Sequence, residues 1–134
     1  MWVMSNSNQI KVIDIQGREY HSDSLNKIAM SSFSDEVKSS RWINLAGRSR
    51  IECISVINLA LEKSLKIFFS HLPANHPQVL DTHKFLNSKY FARNSSSLFG
   101  FLTSGSTGSP KLVVHECSNL LKSAQKIIER YPDL

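Results

Sequence analysis

An apolar segment, a capped helix and a second apolar segment follow one another in the first half of this 134-residue chain. Residues 41–46 (Arg-Trp-Ile-Asn-Leu-Ala) and residues 66–69 (Lys-Ile-Phe-Phe) each predict a strand. Between them, Ser49 and Glu52 have the spacing of a helix capping box, and apolar residues at helical spacing extend to Leu65. We therefore predict a helix over 49–65 and a βαβ unit with parallel strands.

The remaining apolar segments extend this unit to a complete fold. Residues 10–15, a turn at 16–18 and residues 19–21 predict a hairpin that leads into a helix with Ser24-Leu25 and Ile28-Ala29 on its inner face. Further predicted elements are a short helix between 76 and 91, strands at 98–103 and 112–114, and a helix at 118–130. We predict an α/β fold of three layers, αβα, whose mainly parallel sheet places strands 41–46, 66–69 and 98–103 side by side.

A glycine- and hydroxyl-rich segment separates the last two predicted strands. Residues 102–111 read Leu-Thr-Ser-Gly-Ser-Thr-Gly-Ser-Pro-Lys. Glycine lets backbone N–H groups approach an anion closely, and hydroxyls and one ammonium group supply further donors. A flexible linker would not usually be flanked by two buried strands. The segment therefore predicts a phosphate loop with a polyphosphate nucleotide as its ligand.

The two commonest nucleotide-binding patterns do not fit this segment. A P-loop needs its lysine directly after the last glycine and then a serine or threonine, whereas Lys111 follows Pro110 and precedes Leu112. The dinucleotide pattern Gly-x-Gly-x-x-Gly does not occur either. This register argues against a small P-loop-like phosphotransferase.

The segment resembles the phosphate loop of the AMP-forming adenylating enzymes, which include acyl-CoA synthetases, aryl-CoA ligases and the adenylation domains of peptide synthetases. Their signature is Thr-Ser-Gly-[Ser/Thr]-Thr-Gly-x-Pro-Lys. Eight positions match it: Thr103, Ser104, Gly105, Ser106, Thr107, Gly108, Pro110 and Lys111. The similarity continues through a short strand to the helix start Asn119-Leu120-Leu121. Leu112 departs from the pattern, because many relatives carry a glycine there.

The resemblance implies a two-step ligation that uses ATP and Mg²⁺. A carboxylate attacks the α-phosphate, pyrophosphate leaves, and a thiol of CoA or of an acyl carrier protein takes the acyl group. The implied hydroxyl donors are Thr103, Ser104, Ser106 and Thr107; Gly105 and Gly108 allow close backbone approach; Lys111 is the phosphate-facing, catalytic cation. Magnesium would bridge phosphate oxygens, and this segment contains no carboxylate cage for it.

The family's other motifs, for the acid pocket, the ribose, the hinge and the C-terminal lysine, cannot be placed in residues 1–134. We therefore expect a partial AMP-binding domain that ends just after the phosphate-loop helix. Such a chain would be inactive alone and would need the remainder of the enzyme in cis or in trans. The alternative is a non-catalytic phosphate- or protein-binding module derived from the same fold.

The other sequence features have simpler interpretations. The net charge is +5, but the cations are scattered, so nucleic acid is not a predicted partner. Lys122, Lys126 and Arg130 form a stripe on the last predicted helix, which we interpret as a solvated face; a phosphate-binding surface and a docking site for an acidic carrier protein are alternatives. Five histidines lack metal-ligand spacing, which predicts no metal site. Two cysteines, with no signal peptide or membrane span, indicate a cytoplasmic protein.

Overall fold

The computed structural model describes residues 2–4, 10–89, 96–103 and 108–132. The elements in this part of the chain are, in order, β1 Trp2–Met4, β2 Ile10–Ile13, β3 Glu19–His21, α1 Ser22–Ser39, β4 Trp42–Asn44, α2 Arg50–Ala60, β5 Lys66–Ser70, α3 Pro77–Ser88, β6 Leu98–Thr103, β7 Lys111–Glu116 and α4 Cys117–Arg130.

The larger sheet has the strand order β4-β5-β6-β7. β4, β5 and β6 are parallel neighbours, and β7 pairs antiparallel with β6 at the edge. The predicted βαβ unit is thus confirmed as β4, α2 and β5. The sheet as a whole is mixed, because β7 returns along β6 through a hairpin instead of a helical crossover.

Helices cover both faces of this sheet, as the α/β prediction requires. One core lies under α1 and α2 and contains Phe33, Ile43, Val56, Ile67 and Phe99. The other lies under α3 and contains Trp42, Phe68, Val79, Leu86 and Leu102. Because side chains alternate along a strand, neighbouring residues of β6 enter opposite cores. Gly100 lies beneath Trp42, where a Cβ atom would be only 3.2 Å from the indole ring.

The capping box of α2 is confirmed, but the predicted end of the helix is wrong. The Ser49 side chain accepts a hydrogen bond from the Glu52 N–H, and the Glu52 carboxylate accepts one from the Ser49 N–H. The helix ends at Ala60, not at residue 65. The chain has to reverse there to start β5 beside β4, and the turn places Leu65 in the core.

The amino-terminal segments differ from the prediction in two ways. The predicted hairpin is confirmed as β2 and β3, but β1, which pairs with β2, has no clear sequence signal. The polar stretch 31–40 belongs largely to α1, whose polar side chains face outward while Leu25, Ala29 and Phe33 are buried at four-residue spacing. At Phe33 the backbone leaves the helical region and the helix kinks.

Helix α3 protects the outer edge of β4. The Trp42 N–H donates to Asn87 Oδ1 at 2.9 Å, and His83 Nε2 lies 2.9 Å from the Trp42 carbonyl oxygen. Side chains of a helix thus provide the hydrogen bonds that a further strand would provide. This arrangement fixes β4 as one end of the sheet.

Ser97 joins four elements at the amino end of β6. Its hydroxyl group accepts a hydrogen bond from the Leu65 N–H at 2.9 Å and lies 2.8 Å from the Ala60 carbonyl oxygen and 2.9 Å from that of Lys63. Its own carbonyl accepts from the Cys117 N–H at 2.7 Å. The end of α2 and the starts of β5, β6 and α4 therefore meet at one buried residue.

We expect Ser97→Ala to lower the free energy of unfolding by about 1–3 kcal/mol, because it leaves buried backbone groups without their partner. Ser64→Ala, at an exposed position in the adjacent turn, should change it by less than about 0.5 kcal/mol. Urea unfolding followed by circular dichroism measures both. Equal stabilities of the two variants would contradict the role given to Ser97.

Candidate functional site

The β6–β7 hairpin holds the predicted phosphate loop at the carboxyl end of β6. The strands pair without interruption from Leu98 opposite Glu116 to Thr103 opposite Lys111. The Thr103 Oγ1 hydroxyl donates to the Lys111 carbonyl oxygen at 3.1 Å and closes the neck of the loop. The structure thus brings together the first and last predicted site residues.

Of the other predicted site residues, Ser104, Gly105, Ser106 and Thr107 lie outside the described residues. Gly108 has φ +87°, a conformation that side chains rarely adopt, and no atom lies within 4 Å of the position of a Cβ. Glycine is therefore needed here for its backbone conformation and not for lack of space. Lys111 is exposed beside it.

A cleft of about 430 Å³ opens beside the neck, at the carboxyl ends of the three parallel strands. Its lining includes Leu45 after β4, His71 after β5 and Thr103 at the end of β6. In open α/β sheets, ligands bind outside the carboxyl ends of the strands. Because Thr103 belongs to both the cleft and the neck, the two features form one continuous site.

Aromatic side chains form the floor of the cleft. The rings of Phe69 and Phe101 stack at 5.0 Å with an interplanar angle of 11°. Phe99 meets Phe69 edge to face at 5.6 Å, and His115 meets Phe101 at 6.2 Å. The partly buried Phe69 and Phe101 rings offer the cleft a flat apolar surface.

A cation lies at the rim of the cleft and is held by the start of α2. Arg48 Nη1 lies 3.3 Å from Glu52 Oε2, and its guanidinium group lies 4.8 Å above the Phe33 ring. Burial opposes ionisation of Glu52, but hydrogen bonds from Ser49 and the charge of Arg48 prevail and lower the pKa of this carboxyl group. The capping box that starts α2 therefore also positions this cation.

Neither cysteine is suited to nucleophilic chemistry. Burial, and secondarily the charge of Glu52, raises the pKa of the Cys53 thiol in the cleft wall. Burial also raises the pKa of the Cys117 thiol at the start of α4. Both thiols stay protonated at neutral pH, and a thiol is a poor nucleophile compared with a thiolate.

The part of the chain that the structure describes contains no group of three or more histidine, cysteine, aspartate or glutamate side chains that could hold a metal ion. Within the same residues, every helix is too short or too polar to cross a bilayer.

The sequence predicted the residues at the neck of the loop but not those that line the cleft. Thr103, Gly108 and Lys111 belong to one continuous motif, whereas Arg48, Phe69 and Phe101 come from three separate segments. The signal that could have found them is their position: each lies within two residues of the carboxyl end of a predicted parallel strand.

No protein-family model, curated protein or solved structure matches the chain.

We expect Gly108→Ala to cost about 1–2 kcal/mol of stability, because alanine has to adopt a left-handed conformation there. Gly17→Ala is the matched control, because Gly17 has φ +80° and equally open surroundings in the β2–β3 turn. Thermal unfolding of both variants should show similar losses. A stability of Gly108→Ala equal to that of the wild type would show that the neck does not impose this conformation.

Proposed function

We propose that this chain is the ATP-binding, N-terminal part of an AMP-forming acyl- or aryl-acid ligase. The observation that carries the proposal is the eight-residue match at fixed spacing between Thr103 and Lys111. The position of the motif supports it, because the motif joins two paired strands beside a cleft at the carboxyl edge of a parallel sheet.

In this proposal the loop holds the β- and γ-phosphates of ATP. Backbone N–H groups and the hydroxyls of Ser104, Ser106 and Thr107 donate to phosphate oxygens, and the Lys111 ammonium group neutralises charge. These donors would stabilise the charge that develops on the departing pyrophosphate without rearranging during the reaction. Loss of one such donor typically slows an enzyme by about a hundred- to a thousandfold.

Thr103 has a separate role in this proposal. Its hydroxyl proton is engaged by the Lys111 carbonyl oxygen, so it is not free to reach a phosphate in this state. We assign it to the neck of the loop, where it holds the ends of the two strands together. Gly108 supplies the left-handed residue that turns the chain back towards β7.

ATP would bring Mg²⁺ bound to its phosphate oxygens, with water completing the coordination shell. The carboxylic acid and the acceptor, CoA or a carrier protein, are the other partners in this proposal. The remainder of the enzyme, in cis or in trans, would supply the acid pocket and the ribose contacts. The two free cysteines agree with a reducing cytoplasm as the location.

The second candidate is a non-catalytic phosphate-binding module of the same fold. The observation that favours it is the pair of cores on both faces of the four-stranded sheet, since such a unit can fold cooperatively by itself. Both candidates predict that nucleotide binds at the loop. They differ in whether pyrophosphate is released and exchanged.

We expect Mg-ATP to raise the melting temperature of the chain, because a ligand that binds only the folded state stabilises it. Lys111→Ala should weaken this binding by about ten- to a hundredfold through the loss of a charge-assisted hydrogen bond. Lys126→Ala, at an exposed position of α4, is the control and should bind like the wild type. No stabilisation of the wild type by Mg-ATP would reject both candidates.

The ligase is tested separately by carboxylate-dependent ATP–pyrophosphate exchange in the complete enzyme. We expect the double substitution Lys111→Ala with Thr107→Ala to abolish exchange and leave the melting temperature nearly unchanged, because both positions serve the loop and not the core. Retained exchange would exclude this loop as the phosphate site. Nucleotide binding without exchange in the wild type would favour the non-catalytic module.

A further inference from the structure

Within the described residues, helix α4 packs against the core of the protein through its first turn. Cys117 is buried, and Leu120 packs against the core under α1 and α2. Every residue from 121 to 130 is exposed. About two and a half turns of helix therefore project away from the described part of the fold.

The exposed part of α4 carries a continuous apolar face. Its large apolar side chains are between half and two-thirds exposed: Leu121 54%, Ile127 54%, Ile128 66% and Tyr131 52%. At 3.6 residues per turn, these side chains and Ala124 occupy roughly a third of the helix circumference. Apolar and polar residues are segregated more completely in α4 than in the other three helices of the described chain.

The opposite face of α4 is basic. Lys122, Lys126 and Arg130 recur at four-residue spacing, and Glu129 is the one acidic residue of the helix. Three cations and one anion give residues 117–130 a net charge of +2. This charge has the same sign as the +5 of the whole chain, so α4 and the body are both attracted to an anionic surface.

The apolar face continues onto the body of the protein. Leu121 and Leu61, which is 41% exposed at the end of α2, line one groove of about 280 Å³. Glu62 and Lys63 lie in the same groove and their charges offset each other, so the cations of this surface are those of α4. The surface that a partner would cover thus combines apolar side chains with cations.

Charge argues against a second copy of the chain as the partner, because it would bring together two chains of net charge +5 and two α4 helices of net charge +2. An anionic membrane surface suits both faces of α4, because a basic amphipathic helix binds such a surface through its apolar face and lies in the plane of the headgroups. The negative surface potential attracts the lysines and the arginine across the headgroup region.

We propose that α4 is an interfacial helix that docks the protein on anionic lipid surfaces. Ile127, Ile128 and Leu121 enter the boundary between headgroups and acyl chains, while Lys122, Lys126 and Arg130 face the headgroup phosphates and water. The helix lies on the bilayer and does not cross it. The proposal requires an uncovered apolar face on α4, so it rests on the second candidate function, a module without the remainder of the ligase.

The test is sedimentation of the purified chain with vesicles of phosphatidylcholine alone or of equal parts phosphatidylcholine and phosphatidylglycerol. We expect binding to the anionic vesicles, weaker binding to the neutral ones, and a decrease in binding with salt. Ile127→Asp with Ile128→Asp should reduce anionic binding by about tenfold or more, because it removes apolar burial and adds repulsion. Lys122→Gln with Lys126→Gln should weaken anionic binding and reduce its salt dependence, because two of the three α4 cations are lost.

The control for the aspartate pair is Leu80→Asp with Phe85→Asp, which adds the same charge at two half-exposed apolar positions of α3. This control should bind like the wild type apart from a small effect of net charge. Circular dichroism and thermal unfolding verify that each variant is folded. The variant with Lys122→Gln and Lys126→Gln tests the proposal without adding acidic groups.

Three results would overturn the proposal. The first is no sedimentation of the wild type with anionic vesicles at low salt. The second is equal loss of binding in the α4 aspartate pair and the α3 control, since α4 would then have no special role. The third is a dimer in light scattering that the α4 aspartate pair dissociates, because the apolar face would then belong to a second copy.

Discussion

The buried hydroxyl group of Ser97 is the interaction on which the arrangement of the sheet depends. It links the end of α2 to the start of β5, and the Ser97 carbonyl holds the start of α4. A parallel pair of strands has no tight turn to fix its register, so contacts at the strand starts have to do so. Because β5 and β6 pair from Lys66 opposite Leu98 onward, this contact also determines where their carboxyl ends, and hence the cleft, are located.

The antiparallel β6–β7 hairpin gives the sheet a loop that a helical crossover could not provide. In a P-loop, phosphate binds at the start of a helix and uses its dipole. Here the loop ends directly in a strand, at Lys111, so the helix dipole makes no comparable contribution. Proposed phosphate binding therefore relies on loop N–H groups, hydroxyls and one ammonium group. The neck bond from Thr103 to the Lys111 carbonyl oxygen becomes important because it reduces the conformational freedom of the loop before a ligand binds.

Local signals in the sequence predicted the parts of the fold that local interactions decide. The Ser49 and Glu52 pair correctly located the start of α2, since a capping box is complete within four residues. The predicted end of α2 was wrong, because the turn that places Leu65 in the core depends on contacts with β5 and Ser97. The loop motif predicted that Thr103, Gly108 and Lys111 belong to one site. The aromatic floor and Arg48 escaped prediction although their strands were correctly predicted as neighbours, because the register of the strands, which single-sequence patterns do not specify, brings these side chains to one cleft.

The proposed phosphate site and the proposed lipid-binding helix lie at opposite ends of β7. Lys111 begins the strand beside the loop, and Glu116 ends it directly before α4. Six residues of antiparallel strand span about 20 Å, which exceeds the depth to which an interfacial helix enters the bilayer. With β7 directed away from the bilayer, a protein bound to a membrane through α4 would keep its loop clear of the lipid and open to nucleotide from the water phase. Because β7 is paired along its whole length with β6, this separation is fixed by the sheet and not by a flexible linker.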